Sequence, residues 1–264
     1  MRYRLKTLLA AGGFALLSSA LPCLGGPAAA VEGEEPLLKR EWPSNGVFGT
    51  FDRAALQRGF QVYQNVCHSC HSLDYVAFRN MELLGYNEDE IGAIAAGYTV
   101  NDGPNDDGDM FERPGRASDH FPPPFPNAKA AAAANGGKAP PDLSLITKAR
   151  EEGQDYVYSL LQGYHDEAPE GVTVPDGSYY NAYYPGHVIA MPPPLSEDAV
   201  EYADGTPATI QQMSADVTQF LAFAAEPTLE QRKQTGVMVF LFLILFTGIF
   251  YAYKRRVWAD VKKH

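Results

Sequence analysis

Cysteine is scarce. The chain has three in 264 residues, and Cys23 stands in a leader-like segment, so only Cys67 and Cys70 remain in the body. Two cysteines three positions apart cannot build a disulfide scaffold or complete a four-cysteine zinc site. Basic charge is equally short: residues 31–233 hold 13 lysines and arginines against 31 aspartates and glutamates, a net of −18 where the whole chain carries −11. A surface of that sign argues against nucleic acid as a partner and attracts cationic proteins, although acidic charge also serves plain solubility. There is no internal repeat, and strand-like alternation is rare.

Long apolar runs are confined to the two ends. Arg2, Arg4 and Lys6 lead into the apolar stretch 8–21 and then into small residues closing on Ala28-Ala29-Ala30, the order of a secretory signal peptide cut near residue 30. The competing reading, an uncleaved anchoring helix, meets the breaks at Gly12, Gly13, Ser18 and Ser19 and the shortness of the run. The second run carries no charge between Lys233 and Lys254, twenty residues that as a helix span about 30 Å, the thickness of a bilayer core. A buried core helix is the alternative, but residues 240–246 are apolar all round, which suits a span at 234–253. Lys254, Arg255, Arg256, Lys262 and Lys263 follow, with Trp258 as an interfacial aromatic, so the positive-inside rule puts the tail 254–264 in the cytoplasm and the body 31–233 across the membrane.

Within the body, Ala55, Leu56, Phe60, Val62, Tyr63 and Val66 recur at mostly three- and four-residue steps, predicting a helix over 51–66 that ends at the cysteine pair. Further helices are expected at 88–96, 129–135 before Gly136-Gly137, 144–152, 155–164 and 208–225. The stretch 101–109 reads as one surface loop, and 166–194, rich in Gly, Pro and Tyr, as loop with a short hairpin.

Cys67-His68-Ser69-Cys70-His71 is the C-x-x-C-H pattern of covalent c-type haem attachment. Two thiols at that spacing reach two vinyl groups on one porphyrin edge, while the next residue turns its imidazole onto the iron. A Cys67–Cys70 disulfide, half of a zinc site and a thioredoxin-like redox pair are the rival readings. Zinc lacks further cysteines, and no strand precedes the pair as a thioredoxin-like unit requires. For the iron's other side the candidates are Met81, Met110, Met191 and Met213 with His120, His165 and His187. Met191 is favoured, because Pro192-Pro193-Pro194 stiffen an irregular loop around its thioether. A thioether ligand raises the potential and closes the iron to oxygen chemistry.

The motif, together with Asp102-Gly103-Pro104-Asn105, Asp109-Met110-Phe111, Arg113-Pro114-Gly115, Pro140-Pro141-Asp142-Leu143-Ser144, Ala149-Arg150, Asp155-Tyr156 and Met191-Pro192-Pro193, resembles the cytochrome c1 family, in order and over most of the chain from about Val47 through the anchor. The resemblance implies a mainly α, class I cytochrome c-like domain with long loop insertions and one C-terminal transmembrane helix. It implies one covalent haem c on Cys67 and Cys70, with His71 and Met191 as axial iron ligands and Asn135, Pro141, Ile146, Arg150, Tyr156 and Leu160 around the haem, Arg150 as a propionate partner. It further implies a single-pass subunit of the ubiquinol–cytochrome c reductase, or bc1, complex in a bacterial inner membrane, its haem domain in the periplasm. Its partners would be cytochrome b, a Rieske iron–sulfur protein and a soluble or anchored cytochrome c. It would carry electrons and do no bond chemistry of its own. One departure stands out: Glu151-Glu152-Gly153 where the family commonly has a glycine pair after Ala-Arg.

Overall fold

Helix α1, Arg53–Asn65, starts at Asp52, whose side chain accepts the Ala54 and Ala55 N–H groups, and buries the face carrying Leu56, Phe60, Val62 and Tyr63. The computed structural model describes residues 35–259; the leader expected at 1–30 and the tail residues Lys262 and Lys263 lie outside the described residues. Helix α2 spans Glu88–Ala96, closed at its start by the reciprocal Asn87–Glu90 capping box. Helix α6, Ile210–Ala225, is capped by Thr209 and is buried on nearly every side from Met213 to Leu221. It packs against α1 at Gly59, where a Cβ would lie 2.0 Å from the Asp216 carbonyl oxygen, so only glycine lets the two backbones approach. Beside that crossing Arg58 donates to the buried Asp216 carboxylate at 2.9 and 3.1 Å and to Asp204 at 2.8 Å. Rings from α1, α6 and the intervening segments fill the core: Phe78–Phe121 at 4.3 Å, Phe60–Phe220 at 5.5 Å and Tyr63–Phe220 at 5.6 Å.

Two elements differ from the sequence expectation. The stretch 101–109 is not one loop: Asn101 and Asp102 end strand β1, Thr99–Asp102, which pairs antiparallel with β2, Phe111–Pro114, in the register Asp102↔Phe111. Arg113 sets this register from the side, pairing with Asp102 and with Asp119. The helix expected over 144–152 shrinks to α4, Ile146–Ala149. Arg150 is extended, and Glu152 and Gly153 take φ of 58° and 49°, so the chain turns where a helix would have continued, with a glutamate in a conformation glycine adopts more easily. The remaining elements fall close to expectation: α3, Ala128–Ala134; α5, Gln154–Gln162; and a two-residue hairpin, β3 Tyr179–Tyr180 against β4 Val188–Ile189. Helix α7, Leu229–Val257, is the one helix among the described residues long and apolar enough to cross a membrane, and none of it is buried.

Candidate functional site

The C-x-x-C-H segment forms where α1 ends. After Val66 the chain tightens into a 3-10 turn, Cys67–Ser69, and the N–H groups of Cys70 and His71 both donate to the Cys67 carbonyl, at 3.1 and 2.9 Å. One turn thus carries both sulfurs and the imidazole. Both thiols are free. Burial pushes the Cys67 thiol up to about 12, with the neighbouring Cys70 adding to the shift. Among the described residues no cluster of three or more His, Cys, Asp or Glu could hold a metal ion. His68 turns back onto the core, its Nδ1 3.2 Å from the Tyr63 hydroxyl and its ring against Tyr98. That leaves His71 facing the other way.

His71 Nδ1 lies 2.7 Å from the Pro141 carbonyl. A carbonyl only accepts, so Nδ1 carries the hydrogen and Nε2 keeps the lone pair. Burial lowers the His71 pKa, which keeps the ring neutral and able to ligate. The Pro141 segment is pinned to the residues after the motif by Asp142. That carboxylate accepts from Ser72 Oγ at 2.7 Å, from the Asp74 N–H at 2.9 Å and from the Ser144 N–H at 2.8 Å. Burial works against the charge on Asp142, but these hydrogen bonds together outweigh it and hold its pKa below the ordinary carboxylate value. Leu143 N–H to Ser72 O at 3.0 Å and Tyr75 N–H to Ser144 Oγ at 3.1 Å complete the staple.

Met191 hangs from the end of α5. Tyr156 and Leu160 lie four apart on α5, and Tyr164, two residues beyond its end, donates its hydroxyl to the Met191 carbonyl at 3.2 Å. Buried Asn181 ties this corner together: its amide donates to Leu160 O at 2.8 Å, and its carbonyl oxygen accepts from the Tyr183 and Tyr184 N–H groups. Met191 is half-buried. Met81 and Met213 are sealed in the core, and Met110 is 66% exposed. His120 and His165 are exposed, and His187 is partly buried with an unpartnered Nδ1.

The model of the Cytochrome C1 family matches residues 42–261. The chain belongs to the cytochrome c1 family. It is 47% identical to the cytochrome c1 of Rhodospirillum rubrum, across 97% of this chain and 98% of that one. It is 46% identical to the mitochondrial cytochrome c1 heme protein of Schizosaccharomyces pombe, across 97% and 88%. With the cytochrome b/c1 of Bradyrhizobium diazoefficiens it shares 50% identity over 97% of its own length while spanning only 42% of that longer protein. The family is one of c-type haem proteins of the bc1 complex, and the donor set here fits that group: two free thiols and a tautomer-fixed imidazole on one turn.

The residues carried over by resemblance fall into three groups. Pro141 meets His71 directly, and Tyr156 and Leu160 lie one turn apart on α5, beyond whose end Tyr164 reaches Met191. Ile146, in α4, packs at the edge of the main core with Cys67 and Tyr156. Arg150 is exposed and sits close enough to Tyr156 to ease the burial-driven rise of that phenol's pKa. Asn135 closes α3 by donating to Ala131 O at 2.8 Å, and no hydrogen bond among the described residues joins it to the His71 side. Sequence reasoning missed Asp142 and Ser72 as the staple, and Tyr164 and Asn181 as the supports of Met191. The Pro-Pro-Asp-Leu-Ser run was the signal for the first pair.

Proposed function

We propose that this chain is the electron-carrying subunit of a bc1 complex, taking one electron from a Rieske iron–sulfur protein and passing it to a cytochrome c through a single haem bonded to Cys67 and Cys70, with His71 and Met191 as axial ligands. The observation that carries the reading is the 2.7 Å hydrogen bond from His71 Nδ1 to Pro141, which aims Nε2 away from the backbone directly after the cysteine pair. When bound, the haem supplies one-electron exchange at iron. The chain orients the ligands: the Pro141 carbonyl fixes the imidazole, and Tyr164 supports the loop that presents the Met191 thioether. A thioether there raises the potential and shuts out exogenous ligands. Arg150 offers an exposed guanidinium to a propionate.

Cytochrome b is the natural neighbour, since α7 supplies a single membrane anchor and a relative that this chain matches over only part of its length is named cytochrome b/c1. Lys254, Arg255 and Arg256 at the end of α7 support a cytoplasmic C-terminus and a periplasmic body, and the leader reading of residues 1–30 agrees. The test is a reduced-minus-oxidised visible spectrum of membranes carrying the wild type or Met191→Leu, with and without carbon monoxide. A c-type band indifferent to carbon monoxide in the wild type, with reactivity and a lowered potential in the variant, is expected. Carbon monoxide binding by the wild type would overturn the ligand assignment and turn the reading toward a haem enzyme.

A further inference from the structure

The segment between Trp42 and Asp52 runs beside the foot of α7 and is stitched to it. Lys233 Nζ donates to the carbonyls of Ser44 at 2.6 Å and Gly49 at 3.0 Å. One turn earlier Glu230 accepts the Phe51 N–H at 2.7 Å and holds Arg53 in a fork at 2.9 and 2.7 Å. Ties from two successive turns fix the height of this segment along the helix. The loop is tight as well as tethered: a Cβ on Gly49 would lie 1.9 Å from the Asn45 carbonyl oxygen and 2.7 Å from that of Pro43.

What this rigid loop presents outward is apolar. Phe48 is 84% exposed and Val47 63% exposed. A cleft of about 470 Å³ runs between loop and helix, lined by Val47, Phe48 and Thr50 on one side and Gln234, Val237 and Met238 on the other, with the tethering Glu230 and Lys233 also in its wall. Met238 is five residues beyond Lys233, about 7 Å further along the axis at the helical rise. No charge follows Lys233 before Lys254, so the loop shares its cleft with the beginning of the apolar run. An aromatic and a β-branched residue side by side in water are costly on a soluble surface, and the headgroup boundary is where such residues are favoured.

We infer that Val47 and Phe48 form a second membrane contact beside α7, seated at the boundary between headgroups and acyl chains, with a lipid chain filling the cleft. The inference rests on reading α7 as a membrane span. The apolar surface of the loop is continuous with that of the anchor, which is why lipid rather than a protein groove is the occupant. A lone helix lets the body swivel about its axis; two contacts hold one face of it toward the bilayer.

The test uses the full-length haem-loaded chain on a Cys23→Ser background, with a nitroxide on Phe48→Cys, Val47→Cys, Leu245→Cys or Asp107→Cys, in phosphatidylcholine–phosphatidylglycerol liposomes and again in the assembled complex. Accessibility is read with oxygen, which concentrates in the bilayer, and with a water-soluble nickel chelate. Expected is an oxygen-over-nickel ratio at 47 and 48 shifted to the side of 245, opposite to 107. If 47 and 48 follow 107 while 245 stays in the bilayer, the loop contact is wrong and the anchor stands. If 245 also follows 107, the anchor reading fails and takes the loop contact with it. If 47 and 48 meet water in liposomes and become shielded from both reagents only in the complex, they dock on protein, and the inference is overturned.

Discussion

Asp142 and Gly59 do their work through what lies close to them, and neither advertises it in the sequence. Asp142→Ala leaves Ser72 Oγ and the Asp74 and Ser144 N–H groups without their shared acceptor. Hydrogen bonds to a charged group contribute about 1.5–3 kcal/mol each before partial replacement by water, so a loss of about 2–3 kcal/mol in urea unfolding is expected. The same variant should loosen His71, seen as broadening of the haem band on reduction; an unchanged band with unchanged stability would remove Asp142 from the site. Gly59→Ala drives a methyl to within 2.0 Å of the Asp216 carbonyl and should cost about 3 kcal/mol, read as a lowered urea midpoint with the slope unchanged. At this scale the sequence was partly transparent. Cys67, Cys70 and His71 are proposed from spacing alone, and Met191 is favoured by its prolines and named by the resemblance. The partner of His71 is a backbone carbonyl seventy positions away, and a carbonyl has no residue-type signature.

Secondary structure was legible where local chemistry decides it. The bounds of α2 coincide with expectation because Asn87 and Glu90 cap it reciprocally, and α1 stops at the cysteines because its apolar spacing stops there. The β1–β2 hairpin was invisible because its strands are four residues long and bury no side chain fully; the ion pairs of Arg113 with Asp102 and Asp119 hold it instead. That origin predicts its pH response. Arg113, hydrogen-bonding both carboxylates, holds Asp102 and Asp119 below the ordinary carboxylate range. Folded values below the unfolded ones mean the contribution is present above the unfolded pKa and is lost as pH falls through the folded pKa. Amide protection across 99–114 should therefore be constant near neutrality and fall below about pH 4, whereas Arg113→Gln should be poorly protected at both ends of that range. Constant wild-type protection down to pH 2 would show that the ion pairs do not hold the hairpin.

For the molecule as a whole, charge distribution is the readable quantity. The body's net −18 is spread widely, but Asp102 is already committed to Arg113, which leaves Asp106, Asp107 and Asp109 exposed at the hairpin tip. Changing those three to asparagine should slow reaction with a cationic cytochrome c roughly three- to tenfold at low ionic strength and flatten its salt dependence. An unchanged slope in stopped-flow traces would place docking elsewhere. The apolar C-terminal helix was legible from run length. How the anchor meets the body was not, since Lys233 is held by the carbonyls of Ser44 and Gly49 and only a folded chain brings them within reach.

Helix α1 joins two things that have so far stood apart. Its first residue, Arg53, is clasped to Glu230 at the root of the anchor, and two residues past its last comes Cys67. Thirteen helical residues make a stiff strut about 20 Å long, so the chain carries a built-in ruler between its membrane root and its attachment motif. Tunnelling falls off exponentially with separation, and this strut does not shorten. The separation between the foot of α7 and the attachment motif is therefore set by the fold and stays the same from one electron to the next. Inserting one turn into α1 would lengthen that ruler by about 5 Å.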